Sequence, residues 1–140
     1  MNTLTAKQQK ITRTLFQLAK DNETATRAKL VAAVVYKNQI ISFGFNSKKS
    51  HPFVIPFQKN EDAIYLHAET DAIKNALRTI GVDQLAKCDL YVVRAKYTDK
   101  NRSNVQLGMA KPCKGCAKCI SQFGVKRVIY STDEQSYAFL

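Results

Sequence analysis

The stretch KLVAAVVYK at residues 29–37, followed by NQ at 38–39 and IISFGFN at 40–46, decides the architecture of this chain. Lys29 to Lys37 is a short, almost unbroken apolar run, the pattern of a strand covered on both faces. Asn38-Gln39 separates it from a second strand, Ile40 to Asn46, so the two form a hairpin. A sheet that begins this way calls for a layer of helices on each side.

The rest of the chain supplies them. Upstream, Thr5 to Lys20 reads as an amphipathic helix: Ile11, Leu15 and Leu18 recur on one face, and Thr5 with Gln8 has capping-box spacing. Asp21 to Ala28 is a polar connection. Downstream, Asn46 to Ala63 reads as a loop, with Pro52 and Pro56 among polar residues. Ile64 to Ile80 is a helix with Ala72, Ile73, Ala76, Leu77 and Ile80 inward, stopped by Gly81. Asp89 to Arg94 is a strand, and Ala95 to Lys111 a long polar loop of the kind that often carries function. Pro112 to Phe123 is a helix with proline in its first turn and Gly124 beyond its end. Val125 to Ser131 is a strand, Thr132 to Gln135 a turn, and Ser136 to Leu140 a short returning strand. Strands interleaved with helices predict a three-layer α/β/α sandwich around a mixed sheet.

Bulk properties agree. The 140 residues are 45% hydrophobic and 24% charged with only 5 Gly and 3 Pro, which fits one compact domain with its own core. No repeat or low-complexity segment interrupts them. Met1 to Lys20 is polar and helix-periodic, unlike a secretory leader, and no apolar run approaches membrane-spanning length. A cytoplasmic setting with reduced thiols is therefore expected. The net charge of +11 points to polyanions or phosphorylated substrates, or simply to solubility. A local bias exists: Arg94, Lys96, Lys100, Arg102, Lys111, Lys114 and Lys118 surround the cysteine segment.

Two short segments carry chemistry. His67-Ala68-Glu69 opens the second helix, and Pro112-Cys113-Lys114-Gly115-Cys116 opens the third. Taken singly, each has an ordinary explanation: a capping histidine, or a pair of small core or redox cysteines. Together they supply one imidazole and two thiols at helix N-termini, where anionic thiolates are favoured. Zinc takes a tetrahedral set of N and S donors, and a catalytic site leaves one position for water. A carboxylate such as Glu69, two residues beyond the histidine, can move that water's proton.

His67-Ala68-Glu69 with Pro112-Cys113-Lys114-Gly115-Cys116 resembles the H-x-E…P-C-x-x-C signature of the cytidine/deoxycytidylate deaminase superfamily, and the element order is similar across nearly the whole chain. The resemblance implies His67, Cys113 and Cys116 as ligands of Zn2+ and Glu69 as proton shuttle. It also implies substrate contacts at Asn46, which ends the similar segment Gly44-Phe45-Asn46, and at Ala68. A homo-oligomer and a role in nucleotide metabolism follow from the same likeness. Two departures bear on the substrate. The interval from Glu69 to Pro112 is longer than is usual, with the excess in residues 95–111, and little chain follows the last strands, which favours a small nucleoside or nucleotide.

Deamination of a cytosine nucleoside or nucleotide is thus the leading expectation, with deoxycytidylate slightly ahead because of the basic bias. A base in RNA or single-stranded DNA, or another heterocycle such as guanine, is the alternative. A non-catalytic zinc module binding nucleic acid is the distant one. No membrane association is expected. Cys88 and Cys119 read as core thiols rather than a second metal site, and His51 as a loop residue that, with Lys48 and Lys49, could touch a phosphate if the loop folds over the site. Phe53, Phe57 and Tyr65 read as loop anchors or a stacking wall.

Overall fold

Lys37 and Asn38 both have positive φ, 49° and 64°, and make the two-residue turn whose twist matches that of paired strands. The hairpin they close joins β1 (Lys29–Tyr36) to β2 (Gln39–Phe45), so the turn sits one residue earlier than Asn38-Gln39. The computed structural model describes residues 4–22, 29–46, 67–98 and 104–140. Around the hairpin stand α1 (Ala6–Lys20), α2 (Ala68–Ala76), α3 (Val82–Leu85), β3 (Asp89–Tyr97), β4 (Val105–Gly108), α4 (Lys114–Phe123), β5 (Arg127–Ser131) and β6 (Tyr137–Phe139). The main strand order is β2-β1-β3-β5-β6. The β3–β5 pair is parallel and the others antiparallel, so the sheet is mixed.

Strand alternation explains the apolar run that opened the reading. Val31, Ala33 and Val35 of β1, with Tyr91, Val93 and Ala95 of β3, pack on Ile11, Leu15 and Ala19 of α1. Ala32 and Val34, with Leu90 and Val92, pack on Ala72, Ile73 and Ala76 of α2, Leu85 of α3, and Cys119 and Ile120 of α4. Every position in the centre of β1 is therefore inside, and each buried Val or Leu contributes about 1.5–3 kcal/mol. The three layers are α1, the sheet, and α2 to α4. The capping box at Thr5 is present in both directions: Thr5 Oγ1 accepts from Gln8 N and Gln8 Oε1 accepts from Thr5 N.

Four expectations need correction. The helix placed at Ile64–Ile80 begins at Ala68 and ends at Ala76 among the described residues, which exclude 64–66. Gly81 does not simply stop it but stands at the N-cap of α3, a four-residue helix that seats Leu85 in the core. Pro112 lies before α4 rather than in its first turn, because Cys113 takes the N-cap position. The largest difference concerns the loop placed at Ala95–Lys111. There β3 continues to Tyr97 and pairs with β4, Arg94 to Tyr97 facing Gly108 to Val105. Residues 99–103 lie outside the described part. Four residues of alternation are too short a signal to separate strand from polar loop.

β4 and β5 occupy the same edge of β3 in succession, β5 along Asp89–Val92 and β4 along Arg94–Tyr97. Ser131, fully buried, stitches the join. Its Oγ accepts from Arg94 N at 3.0 Å and donates to Gly108 O at 2.7 Å, while its carbonyl accepts from Ala110 N.

β2 is an edge strand, and α2 covers it. Ser42 Oγ donates to Ala72 O, Asp71 accepts from Phe45 N, and Asn75 donates to Phe43 O. At Gly44 the two backbones touch: a Cβ there would lie 2.2 Å from Ala68 O and 2.2 Å from Ala72 N. Gly44→Ala must push α2 off the sheet, since backbone atoms cannot rotate away. We expect a loss of about 3 kcal/mol or more, at the upper end of overpacking costs, read as a lowered urea midpoint.

Candidate active site

Two helix N-termini meet above the α2–α4 face of the sheet. His67 stands at the N-cap of α2 without a capping bond of its own, which leaves its ring to point elsewhere. Its Nδ1 lies 3.1 Å from Cys116 Sγ and 3.4 Å from Cys113 Sγ. Cys113 caps α4, its sulfur accepting from Cys116 N at 3.5 Å. All three donor atoms lie within 4.8 Å of one another. A tetrahedral zinc, bonded to nitrogen at about 2.0 Å and sulfur at about 2.3 Å, needs its donors about 3.5–3.8 Å apart. One imidazole and two thiols at this spacing fit Zn2+, with the ring nitrogen nearer the backbone, Nδ1, as the donor.

The protonation states show the same tendency. Hydrogen bonds from Cys116 and His67 hold the Cys113 thiol down to about 3. Cys116, beside that thiolate and buried, is pushed up instead. The hydrogen bond to Cys113 raises the His67 imidazole. Two sulfurs and an imidazole thus compete for the available protons, a conflict that a divalent cation resolves by favouring both thiolates.

Glu69 follows on the first turn of α2 and is only 5% exposed. Burial raises its carboxyl above the usual carboxylate range. It follows His67 by two residues, on the turn of α2 whose N-cap imidazole meets the Cys113 and Cys116 sulfurs of α4. Such a group, shielded from bulk water beside three metal-type donors, can hold a proton and release it.

Cys119 lies in the core against Ile120 and Ala72, with its thiol pushed up to about 12 by burial. Cys88 is buried and donates to Gln84 O. Neither joins the His67 cluster, the one such cluster of three or more His, Cys, Asp or Glu among the described residues. Ala68 is buried where α2 touches Gly44. Asn46 ends the β2 segment with its Oδ1 accepting from Leu30 N at 2.9 Å and from Asn22 Nδ2 at 3.0 Å. That clamp was not legible in sequence, since Asn22 and Leu30 are distant along the chain. Of the basic residues near the cysteines, Lys111, Lys114 and Lys118 are exposed and Lys96 pairs with Asp133. Lys48, Lys49, Lys100 and Arg102 lie outside the described residues, as do His51, Phe53, Phe57 and Tyr65. No described helix is long and apolar enough to cross a membrane.

A family model for the cytidine and deoxycytidylate deaminase zinc-binding region matches residues 5–132. The chain belongs to this deaminase family. No curated protein matches it in sequence. Among solved structures, the deaminase chain is similar to a dCMP deaminase from the cyanophage S-TIM5, at 22% identity and a TM-score of 0.55, covering 91% of this chain and 84% of that one. It is also similar to a cytidine deaminase from Burkholderia pseudomallei, with 16% identity, a TM-score of 0.57, and 91% and 90% of the two chains covered. A guanine deaminase from Bacillus subtilis shares 23% identity with a TM-score of 0.56, over 94% of this chain and 65% of that one. At these identities the likeness establishes the fold: a mixed sheet between helix layers.

The thiols of this deaminase chain should differ sharply in reactivity. In metal-free protein at neutral pH, iodoacetamide should modify Cys113 first, because it is exposed and its thiol is held low. Buried Cys88 and Cys119, both pushed up, should react only after denaturant is added. Peptide mass mapping over time checks the order, and early labelling of Cys119 would contradict the packing.

Proposed function

We propose that the protein is a zinc-dependent hydrolase that deaminates cytosine in a nucleoside or nucleotide and releases ammonia. The observation that carries this reading is the convergence of His67 Nδ1 with both Cys113 and Cys116 sulfurs, beside a buried Glu69. In this reading His67, Cys113 and Cys116 hold the zinc, which supplies Lewis acidity towards a water molecule. Glu69 takes the proton from the attacking water and hands it to the ring nitrogen next to the amino-bearing carbon. The hydroxyl left on that carbon then gives up its proton, which passes to the amino group; the C–N bond breaks, ammonia departs and the ring keeps the oxygen as a carbonyl. The buried setting of Glu69 keeps these protons from exchanging with bulk water.

Ala68, at the start of α2 between His67 and Glu69, and Asn46, at the mouth of β2, are the proposed substrate contacts. The mononucleotide is favoured over the nucleoside by the +11 charge. A structure of the cyanophage dCMP deaminase in complex with dCMP and dUMP, similar in fold to this chain, supports the same choice. Cytoplasmic nucleotide metabolism is the setting that this chemistry suits.

Three measurements test the reading. Elemental analysis should find about one zinc per chain, lost in Cys113→Ala and Cys116→Ala but kept in Cys119→Ala. Glu69→Gln should keep zinc and fold while losing about 10²–10⁴-fold in turnover. The substrate is read by ammonia release from deoxycytidine, deoxycytidylate, guanine and a cytosine-containing oligonucleotide at low and high salt. Deoxycytidylate should lead, with weak salt dependence. An oligonucleotide preference that collapses in salt would replace the mononucleotide reading with a polynucleotide one.

A further inference from the structure

Arg94 stands on the α2–α4 face of the sheet, in the row beside the candidate site. On that face Gly44, Ala32 and Val92 are paired side by side, and Gly44 lies under the start of α2. Two residues further along the strands, the next row on the same face is Leu30 paired with Arg94. A two-residue step along a strand is about 7 Å. α2 runs back along β2, with Asp71 on Phe45 and Asn75 on Phe43, so its N-terminus with His67 points towards this outer row. Asn46 belongs to the same end of the sheet, through its bond to Leu30 N.

The Arg94 side chain is built in rather than draped on the surface. Gly108 pairs with it on β4, and a Cβ placed there would lie 3.0–3.2 Å from its Cγ, Cδ and Nε. The stem therefore crosses the space that Gly108 leaves, and Nε is buried with no hydrogen-bond partner among the described residues. The nearby acid is engaged elsewhere: Asp133 accepts from Lys96 Nζ at 2.8 Å and from Met109 N at 3.1 Å. That pairing also neutralises Lys96. Arg94 forms no ion pair among the described residues. A buried guanidinium donor left without an acceptor is costly, and its planar fork matches the oxygens of a phosphate.

We propose that Arg94 is the specificity-determining residue of this site, receiving the phosphate of a mononucleotide whose base lies at the His67–Cys113–Cys116 cluster. The inference rests on the deaminase reading of that cluster. Arg94 pairs with Leu30, whose N–H is held by Asn46, so in this proposal the phosphate and the sugar both lie at the end of the sheet towards which the His67 end of α2 points. The long interval between Glu69 and Pro112 then has a purpose: β4 brings Gly108 under the arginine and Ser131 locks the Arg94 backbone.

The test compares wild type with Arg94→Gln, Arg94→Lys and Gly108→Ala, all loaded with zinc. Deamination of deoxycytidine and deoxycytidylate is measured alongside calorimetric binding of the products deoxyuridine and deoxyuridylate. Arg94→Gln should weaken deoxyuridylate binding and raise KM for deoxycytidylate by about 10–100-fold, the worth of a charge-assisted hydrogen bond. Deoxyuridine binding and deoxycytidine turnover should not change. Arg94→Lys should recover part of the loss. Gly108→Ala keeps the charge but displaces the stem, and should weaken the nucleotide alone by a smaller factor. Equal losses for nucleoside and nucleotide would make Arg94 a structural residue and overturn the proposal, as would no loss at all. If wild type deaminates neither compound but still binds deoxyuridylate through Arg94, the reaction assigned above fails and the phosphate site stands. If both compounds are deaminated and Arg94→Gln does not distinguish them, the phosphate site fails alone. No binding of either product by wild type overturns both.

Discussion

The contact at Gly44 is the constraint on which the rest of the molecule depends. There the backbone of the edge strand β2 meets the backbone of α2, with no side chain between them. Ser42, Asp71 and Asn75 hold the same two elements together through hydrogen bonds between side chain and backbone. A helix bonded to an edge strand at this range can neither slide nor rotate, so the direction in which His67 leaves its N-terminus is determined. The same bonds use up the outward polar groups at Phe43 and Phe45, which would otherwise offer a free edge for pairing. Site geometry and sheet protection thus come from one contact.

α4 is positioned differently. Cys119 and Ile120 anchor it in the core on the α2 side of the sheet, and Gly124, with φ of 68°, ends it in the left-handed conformation that glycine accepts without strain. Cys113 caps its start, so one sulfur satisfies a helix donor while facing His67 Nδ1. The positive ends of two helices then share a small space with two sulfurs and a buried carboxyl. Such a space favours thiolates, but Cys113 alone is held low while Cys116 is pushed up. Without a cation the second negative charge has nothing to compensate it, which is the electrostatic reason that this arrangement suits a metal.

The strand β4 changes what surrounds that space. β5 leaves one edge of the upper half of β3 open, the other being paired with β1, and β4 fills it with Ser131 bridging the two. Gln135 closes the far side by donating to Leu107 O and accepting from Leu107 N. Residues 105–108, read from the sequence as part of a loop, thereby become part of the sheet and bring Gly108 against Arg94.

The sequence by itself determined the covered sheet, the capped first helix and the two motifs, because each is written in local spacing: alternation and apolar runs for strands, the Thr5–Gln8 pair, and the two cysteines one helical turn apart. It also placed His67, Glu69, Cys113 and Cys116 at or beside helix starts, where the structure has them. Only the tertiary structure decided which imidazole nitrogen faces the sulfurs and that Glu69 is buried. It alone made Val105 to Gly108 a strand and joined Asn46 to Asn22 and Leu30. The physical reason is the same in each case. A strand of four residues, a clamp between distant asparagines and the row occupied by an arginine depend on partners far apart in sequence, and the energy that selects them appears only when the sheet has formed.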